Sequence, residues 1–356
     1  MRLKNTIFLS FYIFCGLLVL NSCQTTKILS IDYLAPANVS FPKELKKVGV
    51  VNNVVTDYTT QETPSQWKDL KALLLGNATI ATESLAQHLA DANYFDEVVI
   101  YDSALQLQKE SYENHPLTSD EIKELTDFLQ VDFIIALENV LFNAKAVDYI
   151  TEDGFILEQL EVETNANIKG FLPERDKPLF QDQIKDTIYW DLRDIVLTQK
   201  SEKTIVNEAS FFTGEVLASR IVPQWNTAQR LLYIDGNKSL RKSHKFIKNN
   251  QWEQAYNIWM EIYDSPSKNV KNQMRAALNI AVFYEMRDNF EEAINWATIA
   301  KELAYKVDEI DFINPIFISS TTNYAPIKTY LEVLEKRKEN AILLNQQMKR
   351  FDSEIN

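Results

Sequence analysis

Between Lys46 and Trp190 the spacing of apolar residues switches repeatedly between two and 3.6, so strands and helices are expected to alternate along one stretch of chain. Lys47-Val48-Gly49-Val50-Val51 is a short apolar run ending at polar Asn52-Asn53, the pattern of a buried strand. From Asn77 to Ala92, residues Ala81, Leu85, His88, Leu89 and Ala92 share one helical face. Glu97-Val98-Val99-Ile100-Tyr101 is a second strand. Thr118 and Glu121 have capping-box spacing, and Ile122, Leu125, Phe128 and Leu129 supply the apolar stripe of the helix that follows. Val131 to Leu137 is a third strand, apolar enough to be central.

Glu152-Asp153-Gly154 then marks a turn between two long extended segments. Leu160, Val162, Thr164, Ala166 and Ile168 alternate with Glu161, Glu163, Asn165, Asn167 and Lys169, which predicts an antiparallel strand with one wet face. Pro173 to Pro178 turns the chain, and Phe180, Ile184, Ile188 and Trp190 line the next strand. A helix with Ile205, Ala209, Phe212 and Val216 on one face stops near Pro223. The expected class is α+β: a mixed-sheet α/β sandwich over 46–225, in the order β-α-β-α-β-β-β-α, followed by an all-α domain over 236–350. In that domain Phe246, Trp252, Ala255, Trp259 and Ile262 form one helical pattern. Ala277, Ile280, Ala281, Tyr284, Phe290, Ala293, Ala297 and Ala300 form another, and a helix from Tyr324 to Arg350 caps one end.

The first residues carry two positive charges and no acid, and Thr6 to Leu20 form an apolar run too short for a permanent membrane span, which needs roughly 20 residues. Leu20-Asn21-Ser22-Cys23 resembles the lipobox of bacterial lipoproteins. The resemblance implies a signal peptide over 1–22, cleavage before Cys23, acylation of Cys23, and a lipidated tether over 23–45. Each buried CH₂ adds about 0.8 kcal/mol, so two or three acyl chains anchor a protein almost permanently. Cys15 would leave with the signal, so no thiol remains for a disulfide.

The formal charge is −13, and −15 once Arg2 and Lys4 are removed, which disfavours nucleic acid and anionic lipid surfaces as partners. Seven glycines form neither a dinucleotide fingerprint nor a phosphate loop. His88, His115 and His244 are not spaced as a metal pair. No cofactor or metal is expected.

The Val48-Gly49-Val50-Val51 strand, the Tyr94-Phe95-Asp96-Glu97-Val98-Val99 entry and the Val131-Asp132-Phe133-Ile134-Ile135 strand resemble a group of bacterial envelope domains. That group includes the amino-terminal domain of the Tol system's propeller protein, the curli secretion lipoprotein, and the lipoprotein activators of penicillin-binding proteins. No pair of long alternating hairpins suited to a membrane barrel is evident. The two helical patterns are similar to tetratricopeptide repeats, with Ala255 and Ala293 38 positions apart. In such repeats the first helix of each pair binds peptides or partner helices, which implies partner-binding positions at His244, Lys248, Arg275 and Glu285. Together with the lipobox, Asn52-Asn53 and Ile221-Val222-Pro223-Gln224-Trp225, these features resemble a Bacteroidota lipoprotein family carrying a domain of unknown function.

Other candidates have plainer readings. His88 sits beside Leu85 and Leu89 and reads as packed, with a catalytic base as the alternative. Glu161 and Glu163 share a strand face, as solvated carboxylates or as a paired acid site. Asp148, Glu152 and Asp153 read as a hairpin tip rather than a calcium loop. Trp252, Trp259 and Trp296 read as core rather than sugar platforms. The expected function is a non-enzymatic scaffold, lipid-anchored in the outer membrane and facing the periplasm, that binds envelope proteins or peptides. The alternative is a lipoprotein that captures glycan or peptide for a transporter.

Overall fold

A computed structural model of the chain describes residues 25–54, 71–101, 103–105, 117–151, 154–175, 177–265, 269–310 and 322–354. The described residues fall into two compact units, one drawn from 34–224 with 343–356, the other from 1–33 with 225–342. The proposed signal peptide and Cys23 lie outside the described residues.

The first unit is built on a mixed sheet. β2 (Lys47–Asn52) runs parallel to β4 (Glu97–Tyr101) on one side and β5 (Phe133–Ile150) on the other. β5, β6 (Ile156–Phe171) and β7 (Phe180–Asp191) are antiparallel, and β3 (Lys71–Leu75) pairs with the far half of β5. The sheet order is β4-β2-β5-β6-β7. Val48, Val50 and Val51 are fully buried because parallel strands are covered on both faces.

The third strand is much longer than the expected Val131–Leu137. A register shift between Leu137 and Asn139 explains how it continues. The bulge keeps Phe133, Ile135 and Leu137 on the same side as Val140, Phe142 and Ala144, all in one core, although the alternation slips by a residue. Helices α1 (Ala78–Asp91) and α4 (Glu202–Ile221) supply that core, while α2 (Ser119–Leu129) covers Ile134 and Ala136 on the other face. A short α3 (Leu192–Thr198) precedes α4. Neither β3 nor α3 was expected. Gly214 lets α4 press against α1, since a Cβ there would stand 2.5 Å from the Ala81 carbonyl oxygen. Gln347 completes this unit: its amide accepts from Ala37 N at 3.0 Å and donates to Ala37 O at 2.8 Å. Arg350 Nη2 donates to Leu45 O at 2.8 Å.

The second unit opens with a correction. Residues expected to form part of a tether contain β1 (Thr26–Ala35), which pairs with β8 (Gln224–Tyr233) in a two-stranded sheet. The physical reason is that Ile31 is buried in the same core as Leu232 and Tyr233. Then come α5 (Lys238–Lys248), α6 (Trp252–Tyr263), α7 (Val270–Glu285), α8 (Phe290–Val307) and α9 (Tyr324–Met348). Both tight turns are made alike. Asn250 and Asp288 are left-handed, at φ 57° and 54°, so the chain folds back to bond Phe246 O and Tyr284 O respectively. Trp259 is fully buried and donates its indole N–H to Ser243 Oγ at 2.9 Å. Ile327, Leu331 and Leu334 of α9 join the same core.

Candidate functional site

Four elements of the helical unit line an open pocket of about 360 Å³, β1 among them through Ile28. β8 contributes Arg230 and Leu231, α7 contributes Leu278 and Val282, and the first turns of α9 contribute Ile327 and Tyr330. Leu278 and Val282 are four apart, and Ile327 and Tyr330 three apart, so each pair shares a helix face. The wall is mainly aliphatic with a few polar groups, the make-up of a recess that takes apolar groups.

Glu285 organises the polar wall from behind. Its side chain is wholly buried. Oε2 accepts from Arg230 Nε at 2.8 Å and from the Tyr330 hydroxyl at 2.8 Å, while Oε1 accepts from Arg230 Nη2 at 2.7 Å and from Arg337 Nη1. Arg337 also lies over the Tyr33 ring, 4.3 Å from its centroid, and its Nη2 is 3.8 Å from Asp288. Burial alone would push the Glu285 carboxyl up. The hydrogen bond and charge of Arg230, then Tyr330 and Arg337, outweigh burial and hold it below the usual carboxylate range. Burial and the Glu285 charge push the Tyr330 phenol well above its ordinary value, so it stays a donor. A buried charge cluster of this kind adds little net stability but fixes orientation, because any other arrangement strands a desolvated charge. Arg230 also donates Nη1 to Gln229 O at 3.0 Å. Of its five N–H groups, two have no acceptor among the described residues.

The four positions expected to form a partner groove separate. Glu285 and Arg275 are buried, 1% and 8% exposed, so neither is a reachable groove residue. Both were read as solvent-facing because their charge hides the burial of α7, which is packed on nearly every side. Glu285 serves the pocket from beneath. His244, Lys248 and Arg275 do not line it. Lys248 is exposed on α5. His244 is half-buried, and burial followed by the charges of Lys248 and Lys27 holds its pKa below the ordinary value. Arg230, Tyr330 and Arg337 were missed, since an arginine in a strand and a tyrosine in a long helix carry no local signature.

His88 is a packing residue: its Nδ1 lies 2.8 Å from Ser84 O and its ring meets Phe211 edge-on. Glu161 is bonded to Lys145 at 2.7 Å across the strands. Trp259 and Trp296 belong to the core. His115, Glu152 and Asp153 lie outside the described residues. Among the described residues no group of three metal-ligating side chains occurs, and no helix is long and apolar enough to cross a membrane.

A family model described as "Domain of unknown function (DUF8603)" matches residues 45–233, and one described as "Domain of unknown function (DUF6340)" matches residues 241–336. No curated protein matches the chain. Among solved structures, a minor lipoprotein from Acinetobacter baumannii is similar at 7% identity and a TM-score of 0.24, covering 49% of this chain and 87% of that one. The rare lipoprotein B from Shewanella oneidensis is similar at 14% identity and a TM-score of 0.23, covering 49% of this chain and 92% of that one. With more than half of its length matched, the chain belongs to the family described as Domain of unknown function (DUF8603).

Proposed function

We propose that this chain is a lipid-anchored, non-enzymatic accessory protein of the bacterial envelope, held in the outer membrane through Cys23 and facing the periplasm. Its tetratricopeptide-like helical unit grips a protein partner. The pocket bounded by Leu278, Val282, Ile327 and the locked Arg230–Tyr330 wall supports this reading. An apolar side chain entering it would gain about 1.5–3 kcal/mol, and the two remaining Arg230 N–H groups would bond a neighbouring backbone carbonyl.

A photo-crosslinking residue in place of Val333, on the pocket lining, tests this in intact cells. The expected result is one defined protein adduct that disappears when Val282→Trp fills the recess. Adducts indifferent to Val282→Trp would remove the pocket from the interaction. Capture of a glycan or peptide for a transporter is the second reading, because about 360 Å³ lies within the range of small-ligand sites. In that case a small-molecule adduct replaces the protein adduct.

A further inference from the structure

The end of the sheet that carries the β5–β6 turn is apolar on both faces. Among the described residues β7 reaches β6 only as far as Gln159, opposite Asp191, and β3 reaches β5 only as far as Lys145. The last three pairs of the hairpin, Asp148 with Glu158, Tyr149 with Leu157 and Ile150 with Ile156, therefore have no third strand beside them. Thr151 closes this arm: its N–H donates to Phe155 O at 2.8 Å, and its Oγ1 accepts from Phe155 N at 3.0 Å. Tyr149, Ile150, Phe155 and Ile156 are 57%, 67%, 70% and 64% exposed. Next to them α3 packs on β6 and β7, burying Leu192 and Ile195 but exposing Val196 and Leu197. Apolar surface gathered in this way marks a contact site.

Two features select the occupant. Successive strand residues point to opposite faces, so Tyr149 and Leu157 lie on one face, Ile150 and Ile156 on the other. A flat partner would cover one face and leave the other wet, whereas a cleft covers both. The second feature is charge. Residues 148–158 and 191–198 together carry six acids and one arginine. Asp148 faces Glu158 across the strands, an arrangement that repels. Arg193 is engaged by Asp191 at 3.2 Å, and its charge also reaches Glu158.

That excess of acid decides among the candidates. A second copy of this chain would bring carboxylate against carboxylate. A bilayer would have to take in the turn, where the sequence places Glu152 and Asp153, and carboxylates are costly in hydrocarbon. What complements this end is a protein cleft with apolar walls and a rim of lysine or arginine.

We propose that the end of the β5–β6 hairpin, with Val196 and Leu197 beside it, inserts into such a basic-rimmed cleft on a partner protein. The arm belongs to the sheet unit, so this does not depend on what the helical pocket holds. A photo-crosslinking residue at Tyr149 and, in a separate experiment, at Ile156 tests it with the full chain in intact cells. Both side chains are exposed, so neither replacement disturbs the core. The expected result is the same protein adduct from both positions, mapping to a segment that contains lysine or arginine, with a yield cut about tenfold by Asp148→Lys. An adduct from only one of the two positions would mean a flat contact and overturn the cleft. Adducts with lipid or with a second copy of this chain would overturn it as well. So would the absence of a protein adduct from either position, or a yield indifferent to Asp148→Lys.

Discussion

Arg230 meets Glu285 side-on, with Nε 2.8 Å from Oε2 and Nη2 2.7 Å from Oε1. This forked geometry is the strongest form of arginine–carboxylate contact. The same carboxylate holds Tyr330 and Arg337, so one acid on α7 ties β8 to two successive stretches of α9.

Replacing Glu285 with glutamine should therefore loosen all three at once. Two buried guanidinium groups would lose their counter-charge, a loss of about 3–5 kcal/mol for a broken buried pair. Hydrogen exchange at the amides of α7 and of residues 324–342 reads the effect within the helical unit. Protection equal to the wild type would mean the cluster does not hold these helices together.

The same acid sets a pH dependence. Its folded pKa is depressed, so its stabilising contribution is complete above the unfolded carboxyl's ordinary value of 4.5 and is lost as pH falls through the lower folded value. The gap in urea midpoint between wild type and Glu285→Gln should be widest at neutral pH and shrink in acid below 4.5. A gap that grows in acid would contradict the assigned direction.

Gly214→Ala sets two effects against each other. Alanine gains about 1 kcal/mol of helix propensity over glycine. The new methyl would stand 2.5 Å from Ala81 O and 2.6 Å from Leu85 N, both backbone atoms that cannot swing aside. Overpacking should win, for a net loss of about 1–3 kcal/mol in a denaturant melt. A stabilised variant would show that α1 and α4 separate easily.

Trp259 and Ser243 should be energetically coupled. The indole N–H donates to Ser243 Oγ, which donates onward to Leu240 O at 2.8 Å. Ser243→Ala strands a buried N–H and should cost about 1–3 kcal/mol. In a Trp259→Phe background the same change should cost much less, because no donor is left to strand. Equal costs in both backgrounds would argue against the hydrogen bond.

Cells grown with labelled palmitate should yield labelled wild-type chain, and Cys23→Ser should abolish both the label and sedimentation with membranes. Label retained in the Cys23→Ser chain would place the acyl group elsewhere.

Much of the sheet was legible because its cues are local. Thr118 and Glu121 do form the reciprocal cap. Leu160, Val162, Thr164, Ala166 and Ile168 are all buried while their neighbours are half-exposed. The pairing of β1 with β8 had no such cue, since almost two hundred residues separate the partners. The extension of β5 was hidden by Glu138-Asn139, polar residues that read as a strand end. Glu138 is instead buried, with Asn53 and Lys169 each 3.4 Å away. Glu285 was misread for a similar reason: its partners lie 45 to 55 positions along the chain, so nothing beside it betrays its burial.

Gln347 and Arg350 complete a body whose other strands and helices were all synthesised far earlier. A ribosome delivering this polypeptide would therefore expose the sheet with Ala37 and Leu45 still lacking those side chains. Final closure of the body must await the stretch that carries Gln347 and Arg350. Excision of 34–224 alone would leave the same seam open.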